Sequence, residues 1–422
     1  MKADYSSSSF KAGLYWILQC GSRGVNLYIR IIFYILIGAF LISTYFFRDV
    51  QTSGDTVRFS ESADVLIRSN FNPSIYFKSS IESQLFYYFW LALIGKMKSI
   101  AVNDWKAFLV YTNIAAAYLT IIMTIEAILK VVNTRSALIF SSLLFMTSTE
   151  YLQWITWVLS DIIYTFLASL VFMLLLTSVH MTKYNSMVKW SGLIMAIISF
   201  FFRPSGIPIL FFSIVFILIT PTLFDKDRVF HKRVAGFILA LLIVSGLILS
   251  LLWGWLMKDP ELLPLKILHP SFTQLSNEYK TGIVVYLKEE TYQPPPVTVI
   301  DFTTITLLKI FYYLQVISKN HSIFHNASNL LIFSFSGFAG IYSASPWSCW
   351  SDKKKHVTWW VLFVMLSYAI FYGTQYVDYD SRYRIPLIPL MILSSSIVFN
   401  EIWMFIHNKF GVDTCRSQLS WL

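Results

Sequence analysis

LFYYFWLALI, residues 85–94, is the stretch on which the topology turns, because spanning or not spanning inverts the side of every later loop. A helix of ten residues rises about 15 Å, half of a hydrocarbon core of about 30 Å. Glu82, Lys96 and Lys98 flank the run and hold it near a surface. We read it as a juxtamembrane helix lying on the outer face.

The rest of the 422-residue chain is built on longer apolar runs. Apolar residues make up 56% and charged residues 13%. A soluble domain carries about 25% charged residues, so soluble classes are excluded. Runs of spanning length fall at residues 31–47, 107–129, 136–155, 161–181, 188–202, 206–222, 234–257, 328–346, 357–373 and 385–406. The fold class is therefore an all-α polytopic membrane protein of about ten transmembrane helices. Residues 1–422 form one transmembrane domain. Two outer segments, 48–106 and 258–327, are too long for plain connections. The first holds residues 85–94, and the second holds TITLLKIFYYLQVI (304–317), a second candidate surface helix.

The formal net charge of +10 orients this arrangement. With the N-terminus cytoplasmic, the inner segments hold 17 Lys and Arg against 5 Asp and Glu, while the outer loops hold 16 of each sign. That is the positive-inside asymmetry. It places both termini in the cytoplasm, fits a multi-pass protein of a bacterial inner (plasma) membrane, and gives no reason to expect a nucleic-acid partner.

Four polar places in the outer half have the residue types for chemistry. Asp55, in SGDTVRFSESADVL (53–66), follows the first span and is suited to a general base facing a cavity. The competing reading makes Ser53 or Asp55 the cap of a helix running through Arg58, Glu61 and Asp64. Asp161 begins a span, where a carboxylate either caps the helix or points between helices; Glu150 belongs to the same outer turn. Arg203, followed by Pro204, lies between two apolar runs and is suited to a phosphate, or else to snorkelling or an ion pair. Arg382 and Arg384, in DYDSRYRIPLIPL (378–390), suit an anionic headgroup or a structural pairing with Asp378 and Asp380.

Other patterns are set aside. Asp225-Lys-Asp227 and Asp378-Tyr-Asp380 have no nucleotide-binding domain around them, and there is no phosphate-loop, HExxH or CxxC motif. His269, His321 and His325 lack helical ligand spacing and are expected to be solvated.

The order of these features resembles the GT-C superfamily of membrane glycosyltransferases, especially the lipid A aminoarabinose transferases and the protein O-mannosyltransferases. DTVRF (55–59) is similar to the family's D-x-x-R-[YF], Asp161 and Arg203 match its second acidic and its basic site residues, and residues 85–94 match its juxtamembrane helix. RYRIP (382–386) precedes a late span as the family's RYRxP does. One departure is plain: Glu82 is followed by Ser83 and Gln84, where the aminoarabinose transferases have Glu-Lys-Pro. The metal and acceptor contacts of that subgroup are accordingly not carried over.

The resemblance implies a sugar taken from a polyprenyl-phosphate donor on the extracytoplasmic face and passed, with inversion, to the hydroxyl of a lipid or glycan acceptor. It implies Asp55 and Asp161 as the catalytic pair, Arg203, Arg382 and Arg384 at the donor phosphate, and Arg58, Glu61 and Glu82 in support. Membrane lipids are the remaining partners. It fixes no cofactor with certainty, and a divalent metal is the one candidate.

Two rivals stand beside this reading. An O-antigen polymerase or ligase also uses outer-loop arginines and a polyprenyl-linked substrate, but transfers a whole glycan; donors of the two kinds separate them. A transporter or flippase of lipid-linked glycans calls for polar residues at mid-membrane and repeat symmetry. Here only Glu126 and Glu401 fall inside expected spans, each near an end, and no repeat is visible.

Overall fold

The computed structural model describes residues 25–72, 85–101, 105–180, 186–223, 282–284, 291–319, 321–345, 348, 350–375 and 381–409. Among them, nine of the ten expected apolar runs are helical: α1 (Leu27–Arg48), α4 (Trp105–Val132), α5 (Arg135–Thr147), α7 (Asp161–His180), α8 (Ser186–Phe202), α9 (Ile207–Leu223), α11 (Ile323–Ala344), α12 (Asp352–Gln375) and α13 (Ile388–Lys409). The seventh run, 234–257, lies outside the described residues. Six of these helices, α1, α4, α7, α11, α12 and α13, are long and apolar enough to cross a membrane; α5, α8 and α9 are shorter. Shorter elements are α2 (Gly54–Arg68), α3 (Leu85–Ala101), α6 (Thr149–Leu152), α10 (Val299–Tyr313), and a two-residue antiparallel pair of β1 (Ile283–Val284) with β2 (Tyr292–Gln293).

The helices differ sharply in burial. In the spanning window of α13, 83% of residues are buried, against 11% for α1. So α13 occupies the centre, while α1 lies at the edge and exposes Ile32, Ile35 and Phe46, the side chains a lipid phase accepts without penalty. Ion pairs close the end of the bundle away from the candidate site. Arg30 meets Glu126 at 3.0 Å and Lys354 meets Glu401 at 2.5 Å. The two glutamates read as near the ends of spans are thus paired.

The decisive stretch is the start of α3. Its first turn touches α8 near that helix's C-terminal end, where the Tyr87 and Phe202 rings lie 5.5 Å apart. Its last residue, Ala101, precedes by four positions the start of α4 at Trp105. That part of α4 lies at the same end of the bundle: Tyr111 packs on Tyr45 near the end of α1, and Asn113 reaches the carbonyl of Trp157 just before α7. A helix that begins and ends on one side lies across that side and does not span.

One expected span is shortened. The run 136–155 stops being helical at Thr147, and Ser148 leaves the helical region with a ψ of 85°. Thr147 Oγ1 donates to the Leu143 and Leu144 carbonyls in the last turn. An apolar count is blind to this. The remaining residues form α6 and the turn after it, so Glu150 stands at the bundle's end, outside any spanning helix.

In the second long loop, α10 begins at Val299, earlier than expected, because Thr298 and Asp301 form a capping box. The Asp301 carboxylate accepts from the amides of Thr298 at 2.9 Å and Val297 at 3.1 Å. It docks where Gly373 of α12 leaves room: a Cβ there would stand 2.5 Å from Ile310.

Between α8 and α9 the chain turns in a 3-10 segment, Pro204–Gly206. Tyr368 donates to the Tyr164 hydroxyl, which donates to the Ser205 carbonyl and ties the turn to α7 and α12. Gly206 is required by space, since an added Cβ would lie 2.5 Å from the Phe200 Cα and 2.6 Å from the Ser199 carbonyl oxygen. Backbone atoms cannot rotate away. Gly206→Ala is therefore expected to cost about 1–3 kcal/mol, read as a lowered unfolding temperature of the purified protein; an unchanged temperature refutes the close approach.

Candidate active site

The site is assembled from three connections at one end of the bundle. The first is the segment between α1 and α2, pinned to the segment before α7. The Gln51 amide donates to the Thr156 carbonyl at 2.9 Å, and the Val158 amide to the Gln51 carbonyl at 3.0 Å. Thr56 Oγ1 donates to the Val158 carbonyl at 3.1 Å, and the Ser53 amide donates to Thr56 Oγ1 at 3.0 Å. Ser53 is thus the N-cap of α2. Asp55 is already inside the first turn, its carboxylate turned to other work.

That carboxylate pairs with Arg382, Oδ2 to Nη1, at 3.0 Å. Arg382 Nη2 also donates to the Tyr383 hydroxyl at 3.2 Å, and its guanidinium lies 5.1 Å from the Tyr383 ring centroid. Arg203 lies 5.7 Å from the same ring and is ion-paired with Asp161 in the first turn of α7. Tyr383 is therefore shared by the two guanidinium groups. It stacks in turn on Tyr372 at 4.9 Å, and Tyr372 on Tyr313 at 5.1 Å, a column through the 3-10 segment Ser381–Leu387, α12 and α10.

The two pairs differ in exposure. Asp161 and Arg203 side chains are 4% and 9% exposed, Asp55 and Arg382 30% and 19%. Burial works against the Arg203 charge, but the Asp161 carboxylate outweighs it and raises Arg203 above its ordinary value. The inner pair is a fixed charge unit. The outer pair is open enough to be rearranged by a ligand.

Of the residues expected to act together, Asp55, Asp161, Arg203 and Arg382 are brought together around Tyr383. Arg384 is engaged elsewhere. Its Nε and Nη2 grip Glu150 at 2.7 and 2.8 Å, and Nη1 donates to the Gln315 carbonyl and, at 3.5 Å, to that of Tyr313. Arg58 and Glu61 lie in α2, with Glu61 exposed, and Glu82, Asp378 and Asp380 lie outside the described residues.

Glu150 was legible only as a neighbour of Asp161 in the same turn, yet it is fully buried. It accepts from Asn329 Nδ2 at 2.7 Å as well as from Arg384, and His325 Nε2 stands 3.5 Å away. Burial alone would raise its pKa; Arg384 and His325 overcome this and hold it below the usual carboxylate value. The expectation of solvated histidines is corrected here. His325 is 5% exposed, and His321 stacks on it at 3.8 Å. Burial, then the neighbouring His325, lower the His321 pKa to about 4. His269 lies outside the described residues. His321 and His325 stand four positions apart, a spacing that can bring the two rings together, but nothing local pointed to Glu150 as their neighbour. Among the described residues no three His, Cys, Asp or Glu side chains are grouped to hold a metal ion.

No protein-family model matches the chain, and no curated protein matches it. It is similar in structure to ArnT from Cupriavidus metallidurans in the apo state, with 13% identity over 86% of this chain and a TM-score of 0.48. It is also similar to that protein bound to undecaprenyl phosphate, with 10% identity over 87% of this chain and a TM-score of 0.44. The chain spans 59% of the length of each of these structures.

The Glu150–Arg384 pair generates a stability prediction. Glu150→Gln leaves a buried guanidinium without its counter-charge and should cost about 3–5 kcal/mol, measured as a fall in unfolding temperature at neutral pH. Because the folded pKa is depressed, the parent holds this stabilisation above the ordinary carboxylate range and loses it as pH falls through the folded value. The difference between parent and variant should therefore shrink in acid; a gap that does not depend on pH contradicts the assignment.

Proposed function

We propose that the protein is an integral-membrane glycosyltransferase that moves a sugar from a polyprenyl-phosphate donor to an acceptor hydroxyl at the extracytoplasmic face, with inversion. The observation that carries this reading is the meeting of two carboxylate–guanidinium pairs, Asp55 with Arg382 and Asp161 with Arg203, around the Tyr383 ring. An aqueous-side site with two cations and two carboxylates, over a bundle that suits a lipid-borne substrate, matches what this transfer demands.

The chemistry follows from the leaving group. A phosphate departs as a stable anion, so the proton donor that a glycosidase supplies is dispensable. The acceptor oxygen attacks the anomeric carbon and its proton passes to Asp55, while the bond from that carbon to the phosphate oxygen breaks and its electron pair leaves with the phosphate. Arg203 and Arg382 stabilise the growing negative charge on that phosphate. Donor binding draws Arg382 toward the phosphate and frees the Asp55 carboxylate for the acceptor. Asp161 holds Arg203 charged and in place. Arg384 does not reach the phosphate in this reading; with Glu150 it fixes the turn that carries Arg382 and Tyr383. With both aspartates paired to arginines and no three-ligand group among the described residues, a divalent ion has no assigned role.

Asp55→Asn should lower sugar transfer from a polyprenyl-phosphate donor by at least about 100-fold, with an unfolding temperature close to the parent's because the Asp55–Arg382 pair is partly exposed. Transfer would be followed in proteoliposomes with a labelled donor, and an active Asn variant would sink the assignment of the base.

A further inference from the structure

The first turn of α3 holds a side chain that packing alone does not explain. Tyr87 is fully buried, and its ring is set edge-on between Phe59 of α2, at 5.3 Å, and Phe202 of α8, at 5.5 Å. Both neighbours belong to site-bearing segments: Phe59 lies one turn beyond Asp55, and Phe202 immediately precedes Arg203. The charges of Asp161, Arg203 and Asp55 all act on the Tyr87 hydroxyl. A phenylalanine would fill the same space between the two rings.

The hydroxyl itself has no hydrogen-bond partner among the described residues. A buried donor left unmade costs about 1–3 kcal/mol, and folded proteins satisfy nearly all such groups. Other buried tyrosines here obey that rule. Tyr151 reaches the Ala117 carbonyl, Tyr164 that of Ser205, Tyr313 that of Tyr383, and Tyr368 the Tyr164 hydroxyl. Tyr87 is the exception among the described tyrosines, and the charges of Asp161, Arg203 and Asp55 all reach it. An unpartnered hydroxyl held rigidly at such a place is a preformed contact for something that binds there.

We infer that Tyr87 is a ligand-contact residue whose hydroxyl donates a hydrogen bond to a phosphate oxygen of the lipid-linked donor, beside Arg203. The inference rests on the proposed function above. Burial, then Asp161, push the Tyr87 pKa upward, so the group is a neutral O–H that can donate. A phosphate needs donors and brings none of its own, whereas an acceptor hydroxyl carries its own proton to the waiting carboxylates. Arg203 supplies charge and Tyr87 supplies a short directional bond from the opposite element, so α3 closes the phosphate site from the surface side.

The test is Tyr87→Phe, which keeps the ring between Phe59 and Phe202 and removes one oxygen. Binding of undecaprenyl phosphate to the full-length protein in detergent should weaken roughly 10-fold or more, the loss of a hydrogen bond to a charged group. The uncharged polyprenol should bind parent and variant alike, and the unfolding temperature without ligand should stay level or rise. In turnover, KM for the donor should increase while KM for the acceptor does not. Equal binding of the phosphate by parent and variant overturns the role of Tyr87 and leaves the proposed function standing, as does a shift confined to the acceptor's KM. Failure of both proteins to bind the phosphate overturns the proposed function and this inference with it.

Discussion

The bidentate grip of Arg384 on Glu150 is the constraint that the site-bearing end of the bundle depends on. Both side chains are almost wholly out of water, at 1% and 0% exposure, and further hydrogen bonds to both partners offset the cost of burying them. Those extra bonds tie together parts of the chain far apart in sequence. Gln315 and Tyr313 bring in the end of α10, Asn329 and His325 bring in α11, Glu150 the turn after α5, and Arg384 the segment before α13. Breaking the pair would strand a buried charge and loosen polar contacts on four elements at once.

The consequence for chemistry is positional. Arg382 and Tyr383 stand just before the anchored Arg384 in the same 3-10 segment, so fixing one end of that segment presents the other to Asp55 and Arg203. The Tyr383–Tyr372–Tyr313 column supports it from behind. Charged groups thus form a gradient of freedom. Glu150–Arg384 is a locked support, Asp161–Arg203 is buried but borders the site, and Asp55–Arg382 is open to exchange partners with a ligand. The proposed transfer calls for this combination, because its base has to be released when the phosphate arrives while the remaining charges stay still.

The same logic explains why the surface helix α3 matters. By beginning and ending on one side of the bundle, it sets Tyr87 between Phe59 and Phe202 and packs against α2, α4 and α8. An apolar cleft of about 500 Å³ lies beside it, bounded by Phe86, Trp90, Phe166 and Phe202 among others.

The class of the protein, the number and rough place of its helices and the short reach of residues 85–94 were all legible in the sequence. They depend on composition and on period along the chain, which are local quantities that the bilayer reads directly. Asp55, Asp161, Arg203 and Arg382 were legible as polar residues at span ends, though only their convergence on Tyr383 says which belong together. What tertiary structure alone decided is the pairing. Arg382 and Arg384 are nearly identical in sequence context, yet one meets Asp55 and the other meets Glu150, because the turn sends them to different neighbours. Glu150, His325 and Tyr87 carried no signal of their own: burial and partnership are properties of what lies opposite in space, and residues that meet across more than a hundred positions leave no period in the chain.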